Sequence, residues 1–199
     1  MRSNFIDLAI TPGEPGREDN QWPWYADFRR WMDGRTILDV GTGISTIKQR
    51  LSEWGWTARV TTQEPCLACP ADSHDDLSSF RDKSFQTVTC FDVIEHVRDY
   101  GRLMHNMARI ASEYVVITTP GMDITKGVHV YHWHEFYPDE LCQLFEATGM
   151  QFVWARGSTW NHWPDSHKET RSYSLAELRD NPPIHPVGII YAHKGIHAA

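Results

Sequence analysis

The fold of this chain is decided by the stretch Thr36-Ile37-Leu38-Asp39-Val40-Gly41-Thr42-Gly43-Ile44-Ser45-Thr46. Its apolar beginning predicts a buried strand, and two glycines one residue apart follow at once. The next residues predict a helix with Ser45 or Thr46 at its N-cap. Glycine tolerates positive φ and lets a ligand approach the backbone, while a helix N-terminus offers unpaired N–H groups. A strand, a tight glycine turn and a helix in this order predict a nucleotide-binding βα unit.

The residues around the glycines separate the classes of nucleotide site. A dinucleotide site needs a third glycine where Thr46 stands, and a P-loop needs a Gly-Lys-Ser/Thr sequence that does not follow here. An NAD-binding oxidoreductase is therefore disfavoured, and an ordinary glycine-containing turn is a second alternative. Asp39, directly before the first glycine, is the more informative residue.

Length, composition and charge favour one enzyme domain over residues 1–199. A chain of 199 residues with 41% apolar residues can bury a sizeable core, and its net charge of −7 disfavours a broad nucleic-acid interface. Four cysteines do not make a disulfide scaffold in a chain of this length. The sequence shows neither a signal peptide nor a run of about 20 apolar residues. We therefore expect a cytoplasmic enzyme without a membrane span or a nucleic-acid partner.

A second nucleotide contact is predicted at Glu64. Residues 56–62 predict a second strand, and Glu64 follows it 21 residues beyond Gly43. An acidic residue at this distance lies next to a ribose, and its carboxylate can accept hydrogen bonds from both ribose hydroxyls. A solvated surface glutamate is the alternative, but the spacing agrees with the glycine turn.

The sequence apolar-apolar-Asp-Val-Gly-x-Gly at residues 37–43 resembles motif I of the class I S-adenosylmethionine (SAM)-dependent methyltransferases. In that family the acidic residue and the glycine turn hold the methionine end of SAM, and Ser45 replaces the usual third glycine. The residues that the resemblance assigns to this contact are Asp39, Gly41, Thr42 and Gly43.

The resemblance also implies where the adenine of SAM would lie. In this family an acidic residue after the third strand faces the adenine amino group. Asp76, followed by Leu77, matches that position best, and Asp75 is the neighbouring candidate.

A second segment, residues 83–97, is similar to the post-motif of the small-molecule branch of class I, which contains ubiquinone- and menaquinone-type methyltransferases. It contains Ser-Phe-x-x-Val, a predicted strand and then Asp-Val-Ile-Glu-His-Val, with Gln86 where aspartate is usual. The resemblance extends over residues 36–155, and it adds Phe91 and Asp92 to the implied SAM contacts.

The remaining periodicity predicts alternating strands and helices. A helix over residues 137–148 is closed by Gly149, and strands are predicted at 114–119, 151–155 and 187–193. This alternation predicts a doubly wound α/β fold. The resemblance implies a Rossmann-like class I methyltransferase fold with a seven-stranded, mostly parallel sheet and helices on both faces. The implied strand order is 3-2-1-4-5-7-6, with the last strand antiparallel.

Three polar residues after the fourth strand are candidates for the chemistry. Asp92, Glu95 and His96 are predicted to open a helix, in which positions i, i+3 and i+4 share a face. Quinone-pathway O-methyltransferases hold a divalent metal with an equivalent Glu-x-x-Glu-His cluster, but Asp92 is one carbon shorter than the first glutamate. A metal site, a His96 that is a base or contacts the acceptor, and a structural His96 stay open. We favour a site without metal.

Two further histidines, His132 and His134, follow the fifth strand, where this family lines its substrate pocket. In an extended segment they would share one face. Imidazoles suit general-base catalysis or metal ligation. We therefore count His96, His132 and His134 as catalytic candidates, with a polar, half-buried loop as the alternative for the last two.

Two aromatic segments bear on the acceptor. Residues 1–35 contain a predicted helix at 22–33 that carries several aromatic side chains, and residues 157–186 form a long insertion with tryptophans at 160 and 163. The helix either packs against the sheet or covers the active site as a lid. Because large apolar patches are rarely left in water, we expect both segments to cover a partly apolar or aromatic acceptor.

A lone Cys-x-x-Cys motif lies at Cys66 and Cys69. With His74 as a third ligand it could begin a zinc site, but no second Cys-x-x-Cys motif follows. A loop with free thiols is the alternative.

Together these patterns predict a SAM-dependent methyltransferase that acts on oxygen or nitrogen of a small molecule. The first alternative is a SAM-binding regulatory module of the same fold, which a methyl-transfer assay would distinguish. The second is the NAD-binding oxidoreductase, which a calorimetric comparison of NAD with SAM would test.

Overall fold

The computed structural model describes residues 26–43, 47–64, 71–73, 75–120, 132–158, 170–180 and 185–196. Its strands are β1 (Thr36–Val40), β2 (Arg59–Gln63), β3 (Phe85–Phe91), β4 (Ala111–Thr119), β5 (Met150–Ser158), β6 (Thr170–Tyr173) and β7 (His185–His193). Its helices are α1 (Arg29–Met32), α2 (Ile47–Glu53), α3 (Tyr100–Ile110), α4 (Pro138–Ala147) and α5 (Leu175–Asp180). Short 3₁₀ turns cover Ala26–Phe28, Leu77–Ser79 and Ile94–His96.

The seven strands form one mixed sheet in the order β2-β1-β3-β4-β7-β5-β6. Strands β2, β1, β3 and β4 pair in parallel, whereas β7 is antiparallel to β4 and β5. In the family's numbering β3, β4 and β5 are strands 4, 5 and 6, so the expected order 2-1-4-5-7-6 is present. The Rossmann-like methyltransferase fold is therefore confirmed.

The two edges of the sheet differ from the implied order. Where the family's third strand would pair with β2, the described residues contain a single bridge between Gln63 and Ser73. The neighbouring Asp72 explains this, because its carboxylate accepts a hydrogen bond from the backbone N–H of Thr62 at 2.7 Å. At the opposite edge β6, from the predicted insertion, pairs antiparallel with β5 and restores the count of seven.

The core lies on both faces of the sheet. Consecutive residues of a strand point to opposite faces, and Ile37 and Leu38 of β1 accordingly belong to different apolar clusters. The cluster of Leu38 includes buried residues of α3, α4 and α5, and that of Ile37 includes buried residues of α1 and α2. Helices therefore cover both faces, as predicted.

The described part of the aromatic N-terminal helix packs into the core. Phe28 and Trp31 are buried, and the ring of Trp31 lies 5.0 Å from that of Trp154. A Cβ at Gly188 would come within 2.2 Å of the Phe28 ring, so the absence of a side chain there makes room for it. Residues 22–25 and the tryptophans at 160 and 163 lie outside the described residues, so the predicted lid stays a prediction. Within the described ranges, every helix is too short or too polar to cross a membrane.

Candidate active site

The glycine turn lies at the carboxyl end of β1, where parallel strands present ligand sites. Gly41 and Gly43 have φ values of 72° and 58°, in the left-handed region that favours glycine. The backbone N–H groups of Gly41 and Thr42 donate to the carbonyl of Gln63 at 2.8 and 3.2 Å. A Cβ at Gly41 would approach the γ-methyl carbons of Val93 to 2.6 Å. Both the turn's conformation and its packing therefore require glycine at position 41.

Two buried carboxylates lie at this turn. Glu64 accepts a hydrogen bond from the backbone N–H of Gly43 at 2.8 Å, and Asp39 accepts one from the Thr89 hydroxyl at 2.6 Å. The pKa of Asp39 is raised to about 6, mainly because the side chain is buried and to a smaller extent by the negative charge of Glu64, against the opposing hydrogen bonds from Thr89 and Thr42. The structure thus brings the predicted ribose and methionine contacts together, with negative charge concentrated between them.

The predicted adenine residues form a structured turn. Asp76 caps the 3₁₀ turn that begins at Leu77, and its carboxylate accepts hydrogen bonds from the Ser78 N–H and from Arg102, each at 2.9 Å. Leu77 is buried, and the side chain of Gln63 donates to the carbonyl of Asp75 at 2.9 Å. These contacts tie the loop to the end of β2, next to Glu64.

Phe91 ends β3 and Asp92 follows it, in different surroundings. Phe91 stacks on Phe28 of the N-terminal segment, with ring centroids 6.0 Å apart. Asp92 has a φ of 53°, its N–H donates to the Thr118 carbonyl at 2.9 Å, and its carboxylate accepts from the Thr118 hydroxyl at 3.1 Å. The prediction that Asp92, Glu95 and His96 open one helix is wrong. A residue with positive φ bound to β4 cannot continue a right-handed helix, and α3 begins only at Tyr100.

A cluster of polar side chains lies beyond this turn, at Glu95, His96 and His132. One ligand atom of each lies within 4.8 Å of the others, and the two imidazole rings meet edge to face at 4.8 Å. Glu95 is buried and accepts a hydrogen bond from the Thr119 hydroxyl at 3.0 Å. The geometry suits either a divalent cation or a proton-accepting imidazole, and Asp92 is not part of it.

His134 lies in different surroundings from His132. Its Nε2 lies 2.9 Å from Oε1 of Glu140, and its ring packs against Tyr100 and Phe136. His132 instead lies with Nδ1 2.9 Å from Oε1 of Glu135. The two histidines, which were expected to share one face of an extended segment, therefore belong to two separate histidine–carboxylate pairs.

Sequence reasoning gave no role to three polar residues that support this site: Thr89, Thr119 and Glu135. Thr89 of β3 donates to Asp39 on the neighbouring strand β1, and Thr119 at the end of β4 donates to Glu95 in the 3₁₀ turn after β3. Nothing in the local sequence of either threonine marks this role. Glu135 follows His132 by three residues, and that spacing was the available signal. Of the other predicted features, the helix cap at Ser45 or Thr46 and the Cys66, Cys69 and His74 group lie outside the described residues.

The fold and the glycine-turn site define a class I SAM-dependent methyltransferase. The chain belongs to this family, since the family model described as a methyltransferase domain matches residues 23–156. Membership of this family identifies the nucleotide as SAM and not NAD.

Individual relatives are distant. A ubiquinone biosynthesis O-methyltransferase of Xanthomonas euvesicatoria is 24% identical over 179 residues, covering 70% of this chain and 72% of that protein. A SAM-dependent methyltransferase structure from Archaeoglobus fulgidus superposes with a TM-score of 0.63 at 15% identity, covering 89% of this chain and 95% of that one. A magnesium protoporphyrin IX methyltransferase of Synechocystis with bound S-adenosylhomocysteine gives 0.55 at 14%, covering 88% and 81%. At these identities the solved structures show the fold.

The residues at the glycine turn fit SAM chemically. SAM carries an ammonium and a sulfonium, which are both positively charged. The carboxylates of Asp39 and Glu64 are buried and close enough to interact electrostatically with each other, so they concentrate negative charge at this turn. A buried negative charge is costly unless it is paired, and a cationic ligand provides that pairing. The donor set therefore suits a positively charged nucleotide better than a phosphate.

We expect the free energy of unfolding of the unliganded protein to depend on pH because Asp39 titrates. Its raised pKa means that the folded state binds a proton more tightly than the unfolded state. The stabilisation is full below about pH 4 and is lost as pH rises through 6. From the shift of 3.8 to about 6, this residue lowers the free energy of unfolding by about 3 kcal/mol over that window. Denaturant unfolding of the wild type and Asp39→Asn from pH 4 to 8 measures the difference between them.

In this comparison Asp39→Asn is more stable than the wild type at pH 8 by about the same 3 kcal/mol, because its amide stays neutral. A stability difference between the two proteins that does not change with pH would show that Asp39 is ionised throughout the range. Asp72→Asn is the control: partial desolvation would raise the pKa of Asp72, but hydrogen bonds from Lys48 and Thr62 hold it below its usual value. The stabilisation from Asp72 is therefore complete above about pH 4, and the stability difference between the wild type and Asp72→Asn should stay constant from pH 4 to 8.

Proposed function

We propose that this methyltransferase transfers the methyl group of SAM to an oxygen or nitrogen of a small, partly aromatic acceptor, with His132 as the proton acceptor. The observation that carries the proposal is the imidazole of His132, held between the Glu135 carboxylate and the His96 ring beside the predicted SAM site. An imidazole oriented by a carboxylate is a common arrangement for a general base.

The chain's own residues divide the work. SAM supplies a methyl group already activated on a sulfonium, so positioning and proton removal are what remain. Asp39 would hold the ammonium of SAM, Glu64 the ribose hydroxyls and Asp76 the adenine amino group. His132 would take the proton that the acceptor atom gives up when it is methylated.

Two exposed aromatic side chains that follow His132 in the chain support an aromatic acceptor. Trp133 and Tyr137 are about half exposed, and the Arg98 guanidinium lies 3.9 Å from the centroid of the Trp133 ring. Exposed aromatic rings beside a candidate site offer stacking surfaces for a planar molecule. The name of the Xanthomonas relative, an O-methyltransferase, agrees with oxygen as the methylated atom.

Methyl transfer and SAM binding are tested together with labelled SAM. Incubation with a panel of phenols, catechols and aromatic amines should yield a labelled product with at least one compound. Glu64→Ala should weaken SAM binding measured by calorimetry by at least about 10-fold, because each lost charge-assisted hydrogen bond is worth about 1.5–3 kcal/mol.

Glu53→Ala is the matched control for Glu64→Ala. Glu53 ends α2 and pairs with Arg50 and Gln49 in a solvent-exposed position, so its loss should leave the SAM dissociation constant unchanged. If Glu64→Ala binds SAM as the wild type does, Glu64 is not the ribose ligand. A panel that yields no methylated product while SAM binds would favour the regulatory module.

A further inference from the structure

A buried glutamate beside His132 points to a role that the family membership does not assign. Glu135 is 6% exposed, and its Oε1 lies 2.9 Å from Nδ1 of His132. Burying a carboxylate is costly, and buried ionic pairs can often be replaced by apolar residues without loss of stability. The presence of a buried carboxylate–imidazole pair at this position is therefore better explained by a role in the active site than by a contribution to the stability of the fold.

The main chain fixes the same segment from a second direction. The backbone N–H of Trp133 donates to the carbonyl of Glu95 at 2.8 Å, which ties the segment to the 3₁₀ turn that carries His96. This bond fixes the backbone beside His132, and the Glu135 carboxylate lies within hydrogen-bond distance of Nδ1 on the ring. A carboxylate that accepts from one imidazole nitrogen determines which nitrogen carries the lone pair.

We propose that Glu135 is a positioning residue that accepts a hydrogen bond from Nδ1–H of His132 and so holds the lone pair on Nε2. In this tautomer Nε2 is the atom that takes the acceptor's proton. The catalytic consequence rests on the proposed function, whereas the tautomer itself does not. Glu135 has no contact with the acceptor in this scheme and acts through His132.

The test replaces the carboxylate with an amide of the same size. In Glu135→Gln the amide can donate to Nδ1, which favours the tautomer with the proton on Nε2. Nitrogen-15 NMR of the imidazoles at pH 8, assigned with His132→Gln, should show Nδ1–H in the wild type and an increased Nε2–H fraction in the variant. The value of kcat should fall on the order of 10²- to 10⁴-fold, the range for loss of a general base, while the SAM dissociation constant changes less than about twofold.

Glu113→Gln is the matched control. Glu113 lies near the start of β4, at the end away from Thr119, and pairs there with Arg35 and Gln86. Its loss should change neither the His132 tautomer nor kcat. A wild-type His132 protonated on Nε2 would overturn the proposal even if no acceptor were found. So would an unchanged kcat in Glu135→Gln, or a parallel loss of SAM binding, which would mark a purely structural residue.

Discussion

Replacing Gly41 with valine is expected to abolish SAM binding. Gly41 has a φ of 72°, and a Cβ there would lie 2.6 Å from two methyl carbons of Val93. A β-branched residue in the left-handed region is strained by about 1–3 kcal/mol before any clash is counted. The strain and the clash together displace the turn whose N–H groups bind the Gln63 carbonyl. Calorimetric titration with SAM should therefore show no binding.

Loss of SAM binding is informative only if the Gly41→Val variant is folded. Circular dichroism and a cooperative melting transition establish that the variant is folded. The double variant Gly41→Ala with Val93→Ala removes the contact with the γ-methyl groups of Val93 but keeps the backbone strain of a non-glycine residue at position 41. Gly101→Ala is the control, because its Cβ meets nothing within 4 Å in the first turn of α3. It should bind SAM normally. Normal SAM binding by folded Gly41→Val would place the nucleotide elsewhere on the sheet.

Replacing His132 with glutamine is expected to lower turnover by about 10²- to 10⁴-fold with SAM affinity nearly intact. The glutamine side chain occupies similar space but cannot accept a proton at neutral pH. His105→Gln is the control, since His105 is an exposed histidine of α3, and it should retain full turnover. Steady-state kinetics with the acceptor found in the labelling panel measures both variants.

Chelation distinguishes a proton acceptor from a metal centre at the same cluster. Glu95, His96 and His132 have the ligand types and the spacing that a divalent cation uses. With His132 as the base, turnover survives treatment with a chelator and dialysis. Activity that disappears on chelation and returns with Mg²⁺ or Zn²⁺ would assign these side chains to a cation instead. Turnover that withstands both chelation and the loss of His132 would leave positioning as the mechanism.

The sequence was most informative where a backbone constraint leaves a local signature. Gly41 and Gly43 follow an apolar strand at once, so the turn and the nearby Glu64 could be predicted from spacing. The structure indeed joins Gly43 to Glu64 through a hydrogen bond. Predictions were weakest where a side chain that is distant in the sequence determines the local conformation. Asp92 was placed in a helix because nothing next to it shows that Thr118, on another strand, binds its backbone and side chain.

The contact between His96 and His132 could not be predicted for the same reason as the contact between Asp92 and Thr118: the partner lies far away in the sequence. The two imidazoles are 36 residues apart in the chain yet meet edge to face at 4.8 Å, and no period in the sequence encodes such a long-range contact. The edge next to β2, where the described residues contain only the bridge between Gln63 and Ser73 in place of the implied third strand, is a related case. Asp72 satisfies Thr62 with a carboxylate rather than with a strand's carbonyl, a substitution that composition could not reveal.

The carbonyl of Glu95, which accepts main-chain hydrogen bonds from Trp133 at 2.8 Å and from His134 at 3.4 Å, gives the enzyme a route to new acceptors in evolution. Bonds between backbone atoms persist whichever side chains those residues carry. The half-exposed indole of Trp133 can therefore be exchanged by mutation while the attachment of the segment stays the same. On the proposed mechanism, substitutions at Trp133 would change acceptor preference in small steps while the backbone attachment next to His132 stays the same.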